Sequence, residues 1–416
     1  MTMQIAVIGA GLVGVSTALE LSRDGHEVSV FERGASIATG GSFAPHGAIV
    51  PGLLQGPPAW GLRLCGPLAS TLPVHWPGQW RRWRADHSER AASARMMAGD
   101  LARLGLRQLT ATTEAEQLEI EGSRGALMMV RRQADWARAQ ALAESLSTIG
   151  ERVELLSADG ARLIEPALNG EAALAGALHW PLALSTNCRQ LAQSLKSASQ
   201  RLGARYFLLN AVQALRPGTR PAVFALPTGG DGLPGAAPQE FDAVVVCAAA
   251  DSAALLRPLG IRLPWQAIHS CSVTAPLRDG DEADQQLPRG ILLDPDRHLV
   301  ISRLGQRVRV AGRARPGPPR QVPSSSDVAP LYAALDDWFP GAARQARAQA
   351  WAGAQPAFAD ALPALGPSGV PGIWLNLGHG AHGAAWAGAT ARLLAERLAG
   401  KTPSLDMTSL DPQRLR

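Results

Sequence analysis

The sequence predicts an α/β fold. A dinucleotide-binding unit with a parallel sheet is assembled from separated stretches of chain, and the insertions between them build a second unit with a mostly antiparallel sheet. Three observations lead there. The first is the opening stretch Ile5-Ala6-Val7-Ile8-Gly9-Ala10-Gly11-Leu12-Val13-Gly14, followed by Val28-Ser29-Val30-Phe31 and Glu32. The second is a β-branched run, Phe241 to Cys247, leading into a short helix at Ser252 to Leu256. The third is a closing strand at Ile373 to Leu377, a turn carrying Gly378, Gly380 and Gly383, and a helix from Ala384 to Leu398. Between them lie segments with the two-residue alternation of antiparallel strands, above all Ile291 to Gly312.

Each element has a local reason. Ala6 to Ile8 form a buried strand, and Gly9, Gly11 and Gly14 give the G-x-G-x-x-G spacing at its end. Val15 to Ser22 continue as a helix with Ala18, Leu19 and Leu21 facing inward, and Gly25 ends it. Glycines let backbone N–H groups approach a pyrophosphate at the positive end of the helix, and Glu32 can take both hydroxyls of an adenosine ribose. A glycine triplet alone is weak evidence. Here strand, helix, second strand and acid all fall where the mechanism needs them. The reading is an adenine dinucleotide site in a Rossmann-like unit, held by Gly9, Gly11, Leu12, Val13, Gly14, Glu32 and Arg33.

The rest of the chain reads as follows. Gly34 to Pro58 is a Gly/Pro-rich loop too long for an ordinary turn. Asp86 to Leu109, Gln133 to Ile149, Arg189 to Arg201 and Tyr332 to Trp338 read as helices. Gly125 to Val130, Gly176 to Trp180, Ala204 to Leu209, Ala211 to Leu215 and Ile268 to Ala275 read as strands. Gly229 to Pro238 is a loop and Pro316 to Ser326 a polar linker. The expected division is a cofactor domain of residues 1–85, 186–262 and 350–416, and a substrate domain of residues 86–185 and 263–349.

Composition narrows the class. At 416 residues the chain can form two domains, and with 18% charged residues it is not a disordered one. A net charge of +5 and a pI near 9.5 favour anionic ligands or surfaces without singling one out. Cys65, Cys188, Cys247 and Cys271 are scattered, which argues against a metal site or a disulfide framework and fits a reducing cytoplasm. The apolar N-terminus runs straight into the glycine turn and reads as a strand rather than a signal peptide. No apolar run is long enough to span a membrane.

The opening unit, Phe241-Asp242-Ala243-Val244-Val245-Val246-Cys247-Ala248-Ala249-Ala250, and the tail Trp374-Leu375-Asn376-Leu377-Gly378-His379-Gly380-Ala381-His382-Gly383 together resemble the D-amino-acid oxidase-like FAD oxidoreductases. Within that family the likeness is to the bacterial D-amino-acid dehydrogenase small-subunit type, and it covers nearly the whole chain. The resemblance implies FAD as cofactor. It places Gly378, His379, Gly380 and Ala381 against the flavin, Val212 beside the adenine and Ala249 at a small-residue position near the pyrophosphate. The loop Ala38-Thr39-Gly40-Gly41-Ser42-Phe43-Ala44-Pro45-His46-Gly47 matches the family's second flavin segment, with Ser42 and His46 as contacts. Related amine dehydrogenases attach flavin through a histidine in a comparable loop, so a covalent link at His46 is one alternative.

The resemblance further implies oxidation of a C–N bond of an amino acid, with hydride passing to flavin N5. The cofactor carries the electrons, so the protein mainly orients the substrate and excludes water. No acid/base dyad stands out. In the family a Gly-x-Arg-Pro arginine holds the substrate carboxylate, and this chain has Gln355 there. Three readings stay open: another arginine such as Arg303 or Arg313 binds the carboxylate, the substrate is an amine without one, or the site is degenerate. His46, His269 and Gln355 complete the pocket candidates, and His382 follows the flavin turn.

Two further function classes compete with an amino-acid or amine dehydrogenase or oxidase: a flavoenzyme acting on a tRNA-modification-type substrate, and a flavin-binding protein without turnover. Dispersed arginines and the lack of a recognisable RNA-binding module argue against nucleic acid. Enzymes of the dehydrogenase type pass electrons to a membrane carrier such as a quinone. Trp76, Trp80 and Trp83 among Arg81, Arg82 and Arg84 would suit a peripheral foot at the inner face of a membrane, or would pack as an ordinary helix.

Overall fold

The computed structural model describes residues 2–53, 88–228, 237–278, 287–312, 314–316 and 322–415. In chain order the elements are β1 (Gln4–Ile8), α1 (Leu12–Arg23), β2 (Glu27–Phe31), β3 (Ala48–Ile49), α2 (Ser88–Ala115), β4 (Arg124–Val130), α3 (Trp136–Thr148), β5 (Glu154–Ser157), α4 (Ala158–Ile164), β6 (Gly176–Ser185), α5 (Cys188–Arg201), β7 (Arg205–Phe207), β8 (Asn210–Arg216) and β9 (Ala222–Pro227). They continue with β10 (Gln239–Glu240), β11 (Ala243–Val246), α6 (Ser252–Leu256), β12 (Gln266–Pro276), β13 (Ile291–Asp294), β14 (Leu299–Leu304), β15 (Arg307–Gly312), β16 (Arg315–Pro316), α7 (Ser325–Trp338), β17 (Gln349–Ala357), β18 (Ala364–Pro367), β19 (Ile373–Leu377) and α8 (Gly383–Leu398).

Six strands form the Rossmann-like sheet in the order β18-β19-β11-β1-β2-β7. All its pairings are parallel except β18 with β19. Its central strands β1, β2, β11 and β19 are buried along most of their length and need covering on both faces. Ile5 and Val7 point toward α1, α8 and α5, in one core with Val15, Leu19, Leu393 and Leu195. Ala6, Ile8, Val244 and Val246 point the other way, onto Phe31, Phe241 and Leu256. The strand order reverses at β1, between β11 and β2, which opens a crevice at the carboxyl ends where such sheets bind ligands. A three-stranded antiparallel sheet, β10-β9-β8, stands beside it.

The second sheet has ten strands, β16-β12-β15-β14-β13-β4-β6-β3, with β17 added on β12 and β5 on β6. Its pairings are antiparallel apart from β13 with β4. One face packs Val273, Val308 and Val310 against Leu331 and Trp338 of α7. The other packs Met128, Leu178 and Trp180 against Leu142 and Leu146 of α3.

Several elements differ from the sequence reading. The expected boundary at residue 350 cuts through β17, which pairs along β12 from Gln349↔Thr274 to Ala357↔Gln266 and so belongs to the second sheet. Likewise β3, within the expected 1–85 segment, pairs with β6. The helix expected from Tyr332 begins at Ser325, because the Ser324 hydroxyl and Asp327 carboxylate form a capping box that starts it inside the supposed linker. Gln133 to Asp135 form a 3₁₀ turn before α3, and α2 runs on to Ala115. Trp76, Trp80, Trp83 and their arginines lie outside the described residues, as does Cys65. Among the described residues, no helix is long and apolar enough to cross a membrane.

Candidate active site

A cavity of about 620 Å³ runs from the β1–α1 turn to the β19–α8 turn. At its dinucleotide end Gly9 has φ +100°, its N–H donates to the Phe31 carbonyl at 2.8 Å, and a side chain there would meet Cys247 O at 2.9 Å. Gly14 does not line the cavity. It allows close packing, since an added methyl would overlap the Gly9 carbonyl oxygen. Gly11 does line it, and an added methyl would find only Ser42 Oγ, at 3.4 Å. The three glycines therefore serve different purposes: a left-handed turn, open ligand space and helix-to-turn contact.

The Glu32 carboxylate is fixed in place. Its Oε2 accepts from Ala10 N–H and its Oε1 from Gly34 N–H, both at 2.8 Å. Each oxygen keeps a lone pair for a ribose hydroxyl. Ser42 Oγ accepts from Leu12 N–H at 3.1 Å, tying the second flavin segment to the start of α1. Leu12, Val13, Val212 and Ala249 line the same end, and Arg33 pairs with Asp251 at 2.9 Å across its rim. Ala249 has φ +47°, a left-handed conformation that favours glycine. Ala249→Gly should raise stability by about 0.5–1 kcal/mol, the reverse of the usual alanine-to-glycine loss. Urea unfolding checks this.

The other end is bounded by Gly41, Pro45, Cys188, Gln355 and the turn Gly378-His379-Gly380-Ala381. Gly378 and Gly380 have φ +86° and +53°. Asn376 is fully buried at the cavity wall. Its Nδ2 donates to Thr17 Oγ1 at 3.0 Å, and its Oδ1 has no protein partner. Gln355 is similar: Nε2 donates to Gly41 O at 3.0 Å and Oε1 is left without a partner. Polar atoms orphaned at this wall, a cavity spanning both turns, and glycines where backbone must lie open fit an FAD molecule.

His46 is placed differently from the expectation of direct contact. It does not line the cavity. Its Nδ1 accepts from Ala48 N–H and its Nε2–H donates to Ala381 O, both at 3.0 Å. Both ring nitrogens are thus hydrogen-bonded within the protein. The side chain ties the second flavin segment to the closing turn. His382 does not line the cavity; its ring packs against Trp386, tilted by 42° with centroids 4.5 Å apart. His379 does line the cavity, and its Nε2 hydrogen-bonds Thr390 Oγ1 at 3.0 Å.

Burial holds all three imidazoles below their ordinary range, His379 and His382 at about 3, and the Arg309 cation pushes His46 further the same way. An unfolded histidine titrates near 6.5, so below that pH the unfolded chain binds more protons than the folded one. Stability is therefore complete above about pH 6.5 and falls as the pH drops toward the depressed values, by up to about 1.4 kcal/mol per pH unit for each group. Chemical denaturation between about pH 5 and 7.5 should show that slope, shallower by one proton in His379→Gln.

The remaining pocket candidates separate. Arg313 lies outside the described residues. Arg303 sits on the α7 side of the sheet, opposite Val308, and its Nε donates to Gly305 O at 3.0 Å. His269 lies on β12 opposite Ala354 and is not in the cavity wall. Arg309, which sequence reasoning passed over, is on the face turned toward the flavin segment. It is 4% exposed, and its Nε donates to Thr274 Oγ1 at 2.9 Å and its Nη1 to Pro45 O at 3.1 Å. Burial draws its guanidinium down to about 10, still charged at neutral pH. The only sequence signal was its place in the alternation Val308-Arg309-Val310.

Comparison with known proteins agrees with this geometry. The family model described as FAD dependent oxidoreductase matches residues 4–397. The chain is 32% identical to a D-amino acid dehydrogenase of Cereibacter sphaeroides, over 99% of this chain and 95% of that protein. It is 34% identical to D-amino acid dehydrogenase 2 of Ralstonia nicotianae, over 97% and 98%. Among solved structures, glycine oxidase from Geobacillus kaustophilus superposes with a TM-score of 0.75 at 20% identity, covering 99% of both chains. L-proline dehydrogenase from P. horikoshii gives 0.71 at 17%, covering 99% of this chain and 97% of that one.

Proposed function

Because the chain belongs to the D-amino-acid oxidase family of FAD-dependent oxidoreductases and is an FAD-dependent enzyme, we propose that it oxidises the C–N bond of an amino acid, a D-amino acid first among them. The observation that carries the reading is the single cavity joining the dinucleotide turn to the closing turn and ending at Pro45 and Gln355. Bound there, FAD supplies the acceptor, N5, for the hydride leaving the carbon next to nitrogen.

The protein's own part is positioning. The Gly378–Gly383 turn presents open backbone at the start of α8, whose positive end favours negative charge near the ring. Pro45, Gln355 and Ala381 close the inner end against water. Among the described residues, the titratable side chains at that end are His379, held near 3, and the Cys188 thiol, pushed up by burial to about 11. An imidazole so weakly basic and a thiol that keeps its proton are poor acceptors for the substrate's ammonium proton at pH 7. Deprotonation of the amine then goes to water, and catalysis rests on orientation rather than on an acid/base pair.

A second reading, an amine without a carboxylate, draws on Gln355: a neutral amide stands where similar enzymes have a charged fork. Anaerobic mixing of the holoenzyme with D-amino acids, prolines and simple amines tests both. Bleaching of the flavin band by D-amino acids is the expected result. Bleaching by amines alone favours the second reading, and no bleaching by any of them overturns the proposal.

A further inference from the structure

Arg309 is the only arginine or lysine among the described residues that is fully buried, at 4% exposure. No carboxylate among the described residues pairs with it. Nearby Glu121 is engaged with Arg307 and Asn187, so the local acidic charge is already taken. Its own printed partners are neutral oxygens on Thr274 and Pro45, which leaves Nη2 without a partner among the described residues. Directly across the strand pair, Ser302 is 1% exposed and its hydroxyl has no partner either. A buried cation faced only by neutral acceptors is expensive to keep, and one planar anion would resolve both vacancies. Arg309 and Ser302 themselves lie behind the cavity wall: Pro45 and Cys188 line it, and Arg309 bonds the first and lies close enough to bias the thiol of the second.

We propose that Arg309, with the Ser302 hydroxyl beside it, is the anchor for the substrate's carboxylate, moved to β15 from the β17 position that Gln355 occupies. The inference rests on the amino-acid reading above. It makes Arg309 a specificity residue: substrates are chosen by their carboxylate through the meander strands, while Gln355 stays tied to the Gly41 carbonyl.

The test uses FAD-loaded full-length protein in its oxidised state, titrated with benzoate and with benzamide while the flavin spectrum is followed. The two probes share a shape and differ in charge. The wild type should bind benzoate at least about tenfold more tightly than benzamide. Arg309→Met should weaken benzoate by about 30-fold and leave benzamide unchanged. Arg309→Lys, which keeps the charge and loses the fork, should fall between. A purely structural clip on the Pro45 loop would move both probes together. Equal affinities in the wild type, or an unaltered benzoate-to-benzamide ratio in either variant, overturns the inference. The wild-type ratio decides even if Arg309→Met loses its flavin. D-amino acids that bleach the flavin while the ratio stays at one would sink the anchor and spare the proposed function. A large ratio with no bleaching would do the reverse.

Discussion

Gly11→Val will purify as a folded but colourless protein. Gly11 precedes α1 with φ −69° and ψ 176°, an extended conformation that valine adopts without strain. The protein itself leaves room for a new Cβ, whose only neighbour within 4 Å is Ser42 Oγ at 3.4 Å. The space a valine would fill is the cavity, at the point where a diphosphate must touch backbone. The effect should therefore fall on the ligand: apoprotein stability changed by less than about 1 kcal/mol, FAD affinity reduced by about 100-fold or more. The flavin-to-protein absorbance ratio and a urea titration of the apoprotein measure the two separately. A fully yellow variant would show that the diphosphate does not rest there.

The second large effect is at the opposite end. Gly378→Ala places a methyl group into the ring of Phe358, which is fully buried, and does so at φ +86°. Left-handed strain and overpacking together should cost about 2–4 kcal/mol. Unlike Gly11→Val, the loss belongs to the folded chain and should appear in the urea midpoint with or without FAD. A midpoint shift worth less than about 0.5 kcal/mol would mean that the closing turn can swing off Phe358 freely.

How legible the molecule was in its sequence follows from how local each determinant is. The β1–α1–β2 unit declares itself within thirty-odd residues, because strand, glycine turn, helix and acid are contiguous. The closing turn is contiguous in the same way. β17 was missed as a member of the second sheet because Gln349-Ala350-Trp351-Ala352-Gly353-Ala354 carries no apolar alternation, and its pairing with β12 alone defines it. His46 looked like a flavin contact since nothing nearby in sequence shows that Ala381, 335 positions away, accepts its proton. Arg309 stood in plain view between Val308 and Val310, but alternation alone does not say which face meets solvent. That face is covered by Pro45, 264 positions earlier. Arg303, the more conspicuous choice, is one register step off and points at the opposite layer.

The order of strands in the Rossmann-like sheet bears on how the enzyme is made. β11 gains its second neighbour only when β19 arrives, and the ring-end turn follows β19 directly. During synthesis the ribosome must release nearly the whole polypeptide before the flavin's resting place exists. A nascent chain stalled ahead of Ile373 leaves one edge of β11 unpaired and lacks the turn at the ring end, so the site is complete only when the chain is nearly finished.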